Sequence, residues 1–237
     1  VVCEGDSTCF TNLSTPGNNP SGGLWQYMWT FPPGSSPATS SLEHPCVIIN
    51  GCGFPQVSLL VIDSNLCGTT GPQNIQVWCN PEAAFTAPPL CFDDQPILFN
   101  DATTWGDGSP ATWNWTMNTD GNGTGSYQNG TDSTLPSTEY SFDSCGIHPV
   151  QLLVIDDNGC VATEFVNIIN PDPIIVNIWQ YEDMLEATAG FVSYQWLDDQ
   201  NNPISGETTN EFYPTSSGEY SVVVTDSNGC TDTISIT

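Results

Sequence analysis

The sequence repeats one β unit three times, and this repetition constrains the fold more than any other feature. Residues 59–67, 152–160 and 222–230 each consist of apolar β-forming residues, an Asp, a short polar turn and a Cys. A second β-rich run follows each turn. The second and third turns contain Asn-Gly, which between two such runs strongly predicts a hairpin. We therefore expect three antiparallel units of similar design.

A strand with two aromatic residues precedes each predicted hairpin. The pairs are Tyr27 with Trp29, Trp113 with Trp115, and Tyr194 with Trp196. Side chains two positions apart in a strand point to the same face, and a buried Trp on such a strand is typical of sandwich cores. No amphipathic helical stretch of useful length interrupts the pattern. The sequence predicts an all-β fold with three tandem antiparallel β-sandwiches, each with one of the second aromatic residues in its core.

Two short Pro-containing segments predict the boundaries between the sandwiches. Asn80-Pro81-Glu82 and Asn170-Pro171-Asp172 divide the chain into residues 1–79, 80–170 and 171–237. The openings of the first two units align on Cys3 and Cys91, and on this alignment the strand equivalent to residues 83–86 would precede Val1. We therefore expect the first sandwich to lack its N-terminal strand, as a segment of a longer array would.

The aromatic strand of the first unit resembles a known repeat. Tyr27-x-Trp29-x-Phe31 is similar to a strand of the PKD (polycystic kidney disease-type) immunoglobulin-like repeat of giant Bacteroidota surface proteins, although Pro32-Pro33-Gly34 replaces its Gly-Asp-Gly. Residues 224–230 resemble the related Ig-like repeats of gliding adhesins and other type IX-secreted proteins. The resemblance implies Ig-like and PKD-like sandwiches at a cell surface, where such repeats act as spacers or binders.

The charge composition excludes several classes of function. The chain has 27 Asp and Glu but no Lys or Arg, and its formal net charge is −27, whereas a typical chain of this length carries roughly 25–30 basic residues. Nucleic-acid binding needs basic side chains to neutralise phosphates. Anionic membrane surfaces should repel this chain, and no run of 18 apolar residues predicts a transmembrane helix. We therefore expect neither nucleic-acid binding nor membrane insertion.

Ten cysteines indicate an oxidising compartment and an extracellular or cell-surface location. The third unit lacks the positions of both Cys3 and Cys52, so their joint loss predicts the pairs Cys3–Cys52 and, in the second unit, Cys91–Cys145. Two further expected pairs are Cys9–Cys46, within the first unit, and Cys79–Cys160. This scheme leaves Cys67 and Cys230 unpaired. The family resemblance implies a rival scheme of Cys3–Cys67 and Cys91–Cys160, and the two schemes remain open.

Acidic residues at the predicted turns suggest calcium sites. In an Ig-like strand order each hairpin turn lies near the preceding linker, so Glu82 would join Asp156 and Asp157, and Asp172 would join Asp226. Clusters of carboxylate and carbonyl oxygens are the ligands that Ca²⁺ prefers. The alternative is a plain Asx turn, in which the Asp side chain bonds to its own backbone.

Other chemistry has weaker support in the sequence. Ser7, Ser133 and Thr233 each follow an Asp, in a pattern that resembles the Bacteroidota O-glycosylation site. His44 and His148 each precede a Pro, with nothing nearby to suggest a nucleophile and its base. We therefore expect no enzymatic activity.

The sequence predicts a structural or adhesive segment of a long extracellular filament or adhesin that provides reach, stiffness and protease resistance. Its expected partners are neighbouring repeats or other copies of the chain, forming a homo-oligomeric fibre, together with surface glycans. The alternative is a carbohydrate-binding accessory module of a secreted polysaccharide-degrading enzyme. That module would stack sugars on Trp25, Trp105 or Trp179.

Overall fold

The computed structural model describes residues 2–15, 25–63, 66–88, 91, 96–121 and 124–237. Its regular elements are nineteen β-strands, and every ladder between named strands is antiparallel. None of these described residues belongs to a helix long and apolar enough to cross a membrane. The chain folds as three Ig-like β-sandwiches, as the repeats predict.

The first sandwich contains six strands. They are β1 (Ser7–Cys9), β2 (Gln26–Thr30), β3 (Thr39–Ser40), β4 (Cys46–Ile48), β5 (Gln56–Ile62) and β6 (Gly68–Asn74). One sheet has the order β3-β2-β5-β6, and the facing sheet has only β1 and β4. All seven residues of β6 are exposed, which makes it an uncovered edge strand.

The second sandwich contains seven strands. They are β7 (Phe85–Thr86), β8 (Ile97–Asp101), β9 (Pro110–Met117), β10 (Gly125–Tyr127), β11 (Ser137–Phe142), β12 (Gly146–Asp156) and β13 (Val161–Asn170). They form the sheets β10-β11-β8-β7 and β13-β12-β9. The long β12–β13 hairpin pairs ten residues on each strand, and every second residue of its β12 strand is buried against the core.

The third sandwich contains six strands. They are β14 (Ile178–Gln180), β15 (Leu185–Ala187), β16 (Ser193–Leu197), β17 (Glu211–Phe212), β18 (Tyr220–Thr225) and β19 (Thr231–Ile236). Their sheets are β14-β15-β17 and β16-β18-β19.

Each sandwich has its own apolar core around one Trp. Trp29, Trp115 and Trp196 are 6%, 2% and 0% exposed, and each belongs to a separate cluster of buried residues. Aromatic rings pack against each of them. This arrangement confirms the burial predicted from the repeated aromatic strands.

Candidate functional site

The three hairpin turns have one hydrogen-bonding pattern. The side-chain Oδ1 of Asp156 accepts the backbone N–H of Cys160 at 2.8 Å, and the backbone N–H of Asp156 donates to the Cys160 carbonyl at 3.0 Å. Asp226 and Cys230 make the same two bonds, as do Asp63 and Cys67. The residue before each Cys has a positive φ, which Gly adopts without strain in the second and third turns. The Asx turn therefore fixes the cysteine in one orientation in all three sandwiches.

Two disulfides connect successive sandwiches through these turns. Cys3 of the first sandwich bonds to Cys160 in the turn of the second, and Cys91 of the second bonds to Cys230 in the turn of the third. An isolated backbone β-bridge also pairs Cys3 with Trp78, near the end of the first sandwich. The early cysteines of the first and second sandwiches thus lie at the junction with the next sandwich, where the turn cysteine meets them.

The predicted disulfide scheme was mostly wrong. Cys3 does not bond to Cys52, nor Cys91 to Cys145; Cys79 bonds to Cys52 rather than to Cys160, and Cys230 is paired. Cys9–Cys46 is present as predicted, and Cys67 and Cys145 are free. The rival scheme had the right kinds of partner but placed them within one sandwich. The cause is geometric: the turn lies at the pole nearest the preceding sandwich, so its cysteine meets the early cysteine of that sandwich.

Close packing surrounds the first junction. The Cys52–Cys79 disulfide fixes the linker beside Asp107, whose Oδ2 accepts the N–H of Cys79 at 3.1 Å. A Cβ on Gly106 would lie 2.7 Å from the carbonyl oxygen of Asn80, so only Gly fits there. The Asn80 side chain in turn donates to the Glu4 carbonyl at 2.9 Å. The linker therefore contacts both the N-terminal segment of the first sandwich, at Glu4, and the second sandwich, at Gly106 and Asp107.

The second junction has a small acidic cavity. It measures about 270 Å³ and is lined by the Cys91–Cys230 pair, residues 171–174, Thr231 and Asp232. The exposed thiol of Cys145 lies beside Asp172, and the hydrogen bond to that carboxylate raises the thiol's pKa.

Two of the residues proposed for calcium, Asp156 and Asp226, cap their own turns. Asp156 is buried, and its Oδ1 also accepts the N–H of Asn158 at 2.9 Å; Asp226 makes the equivalent bond to Asn228. Asp157 accepts the N–H of Ser109 at 2.7 Å, which ties the turn to the loop before β9. Glu82 is exposed and pairs through its backbone with Thr104.

Calcium binding remains a prediction. Among the described residues, one group of three His, Cys, Asp or Glu side chains lies close enough to share an ion, namely Cys52, Cys79 and Asp107. Its two cysteines are already joined in a disulfide. The geometry does not group Glu82, Asp156 and Asp157 in this way. Asp156 Oδ2 is nevertheless buried without a hydrogen-bond partner.

Both histidines have structural partners. His148 is 2% exposed, stacks on Phe142, and has both ring nitrogens 2.8 Å from oxygens of Asn118 and Ser144. His44 Nδ1 accepts the N–H of Asn12 at 3.1 Å. These hydrogen-bond partners of the two rings are therefore structural, an amide, a backbone carbonyl and a backbone N–H.

An aromatic and acidic face covers one sheet of the third sandwich. Trp179, Tyr181 and Tyr213 are 47%, 51% and 56% exposed. Trp179 lies opposite Glu186, which lies opposite Glu211, so these side chains share a face. Of the other proposed sugar platforms, Trp105 packs on the core against Trp113, and Trp25 is half-buried.

The proposed O-glycosylation residues lie in strands or loops of the sandwiches. Ser7 and Thr233 are exposed in β1 and β19. Ser133 is half-buried, and its carbonyl accepts the N–H of Trp115. Modification at these three positions stays a prediction.

No protein-family model and no curated protein sequence matches the chain. Among similar solved structures are the fibronectin(III)-like modules of Clostridium thermocellum CbhA (11% identity, TM-score 0.32), covering 72% of this chain and 88% of that one. Sidekick-1 immunoglobulin domains 1–4 share 14% identity (TM-score 0.29, 99% and 69% covered). A Bacteroides ovatus mixed-linkage glucan utilization protein, SGBP-B, bound to a heptasaccharide, shares 12% (TM-score 0.25, 97% and 60% covered). The likeness extends to the fold class only.

Proposed function

We propose that this chain is a structural segment of an extracellular filament or adhesin, built from PKD-like sandwiches covalently locked to one another. The observation that carries the proposal is the pair of disulfides between successive sandwiches, Cys3–Cys160 and Cys91–Cys230. With the peptide linker, each disulfide gives a junction two covalent connections. Two connections restrict bending and twisting far more than one, so the array transmits position and force along its length.

The charge of the chain supports the same role. A chain with 27 carboxylates and no basic side chain repels other copies of itself, which keeps it soluble. Repulsion between its own carboxylates also favours an extended array. Trypsin-like proteases cleave after Lys or Arg, and this chain offers them no site. Mutual charge repulsion and resistance to trypsin-like proteases both suit a filament that extends from the surface of a Bacteroidota-like cell.

Electron microscopy of the native source material tests this proposal directly. We expect filaments that an antibody against this chain decorates at regular intervals. Reduction under non-denaturing conditions should make those filaments visibly more flexible. Label confined to compact, isolated particles would contradict the proposal.

The aromatic face of the third sandwich favours a second candidate, carbohydrate binding by an accessory module. Trp179 and Tyr181 could stack on sugar rings, while Glu186 and Glu211 accept hydroxyl hydrogens. Affinity electrophoresis in gels that contain neutral polysaccharides tests it. Retardation that Trp179→Ala abolishes, and that Phe54→Ala on the first sandwich leaves unchanged, would support it. Equal mobility with and without each polysaccharide would remove it.

A further inference from the structure

The first sandwich has an open apolar groove. It measures about 490 Å³ and lies between the segment after β1, which includes Phe10 and Leu13, and the edge strand β6. Core residues of the sheet that contains β6, Trp29 and Leu59 among them, form its floor. Leu59 is only half-buried, whereas its equivalents in the repeats, Leu152 and Val222, are 0% exposed.

A strand fills the corresponding place in the second sandwich. There β7 pairs with β8, with Phe85 opposite Asp101 and Thr86 opposite Asn100. The Phe85 ring packs edge-on against Trp115 with centroids 5.2 Å apart. β7 directly follows the linker from the first sandwich, so the segment by which the chain enters the second sandwich completes its core.

The Trp29 side chain differs from its equivalents in one hydrogen bond. Its indole Nε1–H is buried and, among the described residues, has no acceptor. The equivalent groups of Trp115 and Trp196 donate to the backbone carbonyls of Leu135 and Thr209, in loops of their own sandwiches, at 2.8 and 2.9 Å.

The turn of the first sandwich has a free thiol where the other two turns carry disulfides. Cys67 has the same Asx-turn hydrogen bonds as Cys160 and Cys230 and is exposed. Both of those equivalents bond to the early cysteine of the preceding sandwich. In the second sandwich the segment that follows the linker supplies the strand, and the preceding sandwich supplies the cysteine. In the first sandwich the groove is open and the Cys67 thiol is free.

We propose that this pole of the first sandwich is the docking site for a further sandwich unit of the same repeat type, contiguous with it in the array. The incoming linker adds a strand along residues 12–13 and inserts an apolar side chain into the groove, a case of strand addition to an open sheet edge. An early cysteine of that unit bonds to Cys67. This inference deepens the proposed filament function and rests on it for the existence of further repeats.

The covalent step is an ordinary thiol oxidation. The two thiols lose two protons and two electrons as the sulfur–sulfur bond forms. A small disulfide oxidant, such as oxidised glutathione, accepts them and leaves as two thiols. The cysteines of this chain that match the early position, Cys3 and Cys91, are already bonded, so the partner cysteine belongs to another unit.

A donor-strand extension tests the groove. Fusing a copy of residues 80–88 directly before Val1 places its Thr five residues before Cys3, as Thr86 lies five residues before Cys91. The matched control carries Phe85→Asp in the added copy. We expect the extended chain to melt about 4–8 °C above its control, with slower amide exchange at residues 12–14. Equal melting and exchange in the two chains would overturn strand docking.

Disulfide mapping of the native material tests the cysteine. Thiols are alkylated before reduction, the protein is digested with pepsin, and peptides containing Cys67 are identified by mass spectrometry. A bond from Cys67 to a cysteine outside these 237 residues, in the same polypeptide, is expected, while Cys145 serves as the exposed, alkylated reference. Alkylated Cys67, or Cys67 bonded to a separate chain, would overturn the docking of a contiguous unit. If filaments are seen but Cys67 is not bonded to another unit, the docking inference fails and the proposed filament function stands. If Cys67 is bonded to another unit but no filaments are seen, only the filament function fails.

Discussion

At the scale of single residues, the first junction requires a glycine at position 106, because its close packing leaves no room for a side chain. Gly106 lies against the backbone carbonyls of Cys79 and Asn80, at a distance that no Cβ tolerates. Its neighbour Asp107 accepts the Cys79 N–H, so the loop before β9 holds the linker. The sequence alone gave no sign that this Gly differed from the others, because the contact joins segments far apart in the chain.

We expect Gly106→Ala to destabilise the protein by about 1–3 kcal/mol, because the added methyl group must displace the linker backbone. Gly218→Ala is the matched control, since nothing lies within 4 Å of a Cβ there. Urea unfolding under non-reducing conditions measures both. Equal midpoints for the two variants would show that the linker moves away without cost.

Tyr127 provides a prediction for alkaline pH. Burial, followed by the nearby Tyr140 and Asp132, raises the pKa of Tyr127 to about 12. Because this pKa exceeds the unfolded value of about 10, the folded state favours the neutral phenol. Its contribution to stability is complete below pH 10 and is lost as the pH rises from 10 to 12.

We expect Tyr127→Phe to reduce the slope of unfolding free energy against pH between pH 10 and 12. At pH 7 it should cost about 1 kcal/mol, since the hydroxyl donates to the Trp115 carbonyl at 3.2 Å. Tyr213→Phe, on an exposed ring, is the control. An unchanged alkaline slope in Tyr127→Phe would contradict the assignment.

At the scale of strands and turns, local patterns were enough to predict most of the fold. Alternation around Trp29, Trp115 and Trp196 placed them correctly, and the Asn-Gly turns marked the β12–β13 and β18–β19 hairpins. Cysteine pairing was not predictable in this way, because it depends on which poles of successive sandwiches meet. A search for turn cysteines paired with early cysteines one repeat back would have found the two junction disulfides, Cys3–Cys160 and Cys91–Cys230.

Removing one junction disulfide should uncouple two sandwiches. We expect Cys3→Ser with Cys160→Ser to cost ~2–5 kcal/mol and to split the melting transition, since the peptide linker is then the one covalent connection at the junction, beside noncovalent contacts such as Cys79 N–H to Asp107. Cys9→Ser with Cys46→Ser removes a bridge within the first sandwich and should lower only its own transition. Calorimetry resolves the transitions. A single unchanged transition in the first double variant would mean that the disulfide couples nothing.

At the scale of the whole molecule, the charge of −27 is balanced by no internal cation. Univalent salt at 0.1 M screens this repulsion between charges more than ~10 Å apart, and it does so equally at all parts of the surface. The calcium hypothesis differs from screening because it is local, at the turns and linkers. Its best structural support is the buried, unpartnered Oδ2 of Asp156.

We therefore expect Ca²⁺ to raise the melting temperature and the radius of gyration more than NaCl of equal ionic strength does. Asp172→Asn and Glu82→Gln should reduce that difference. Asp198→Asn, far from either linker in sequence, is the control. Small-angle scattering and calorimetry measure the two effects. Identical scattering and melting curves in Ca²⁺ and in NaCl would contradict local calcium binding and would mean that the carboxylates contribute only surface charge.

The Cys3–Cys160 bond has a mechanical consequence. Residues 4–159 lie inside the loop that it closes, and the Cys91–Cys230 bond makes residues 91–160 a second load path beside residues 160–230, so a pull on the two ends of the chain bypasses residues 4–90. Even fully unravelled, the oxidised chain can lengthen to only about a third of the contour length of the reduced one. Tension would pass through the two junction disulfides and through the second and third sandwiches, while the first sandwich carries no load. A stretched array would therefore reach the limit set by its covalent bonds after only a small extension.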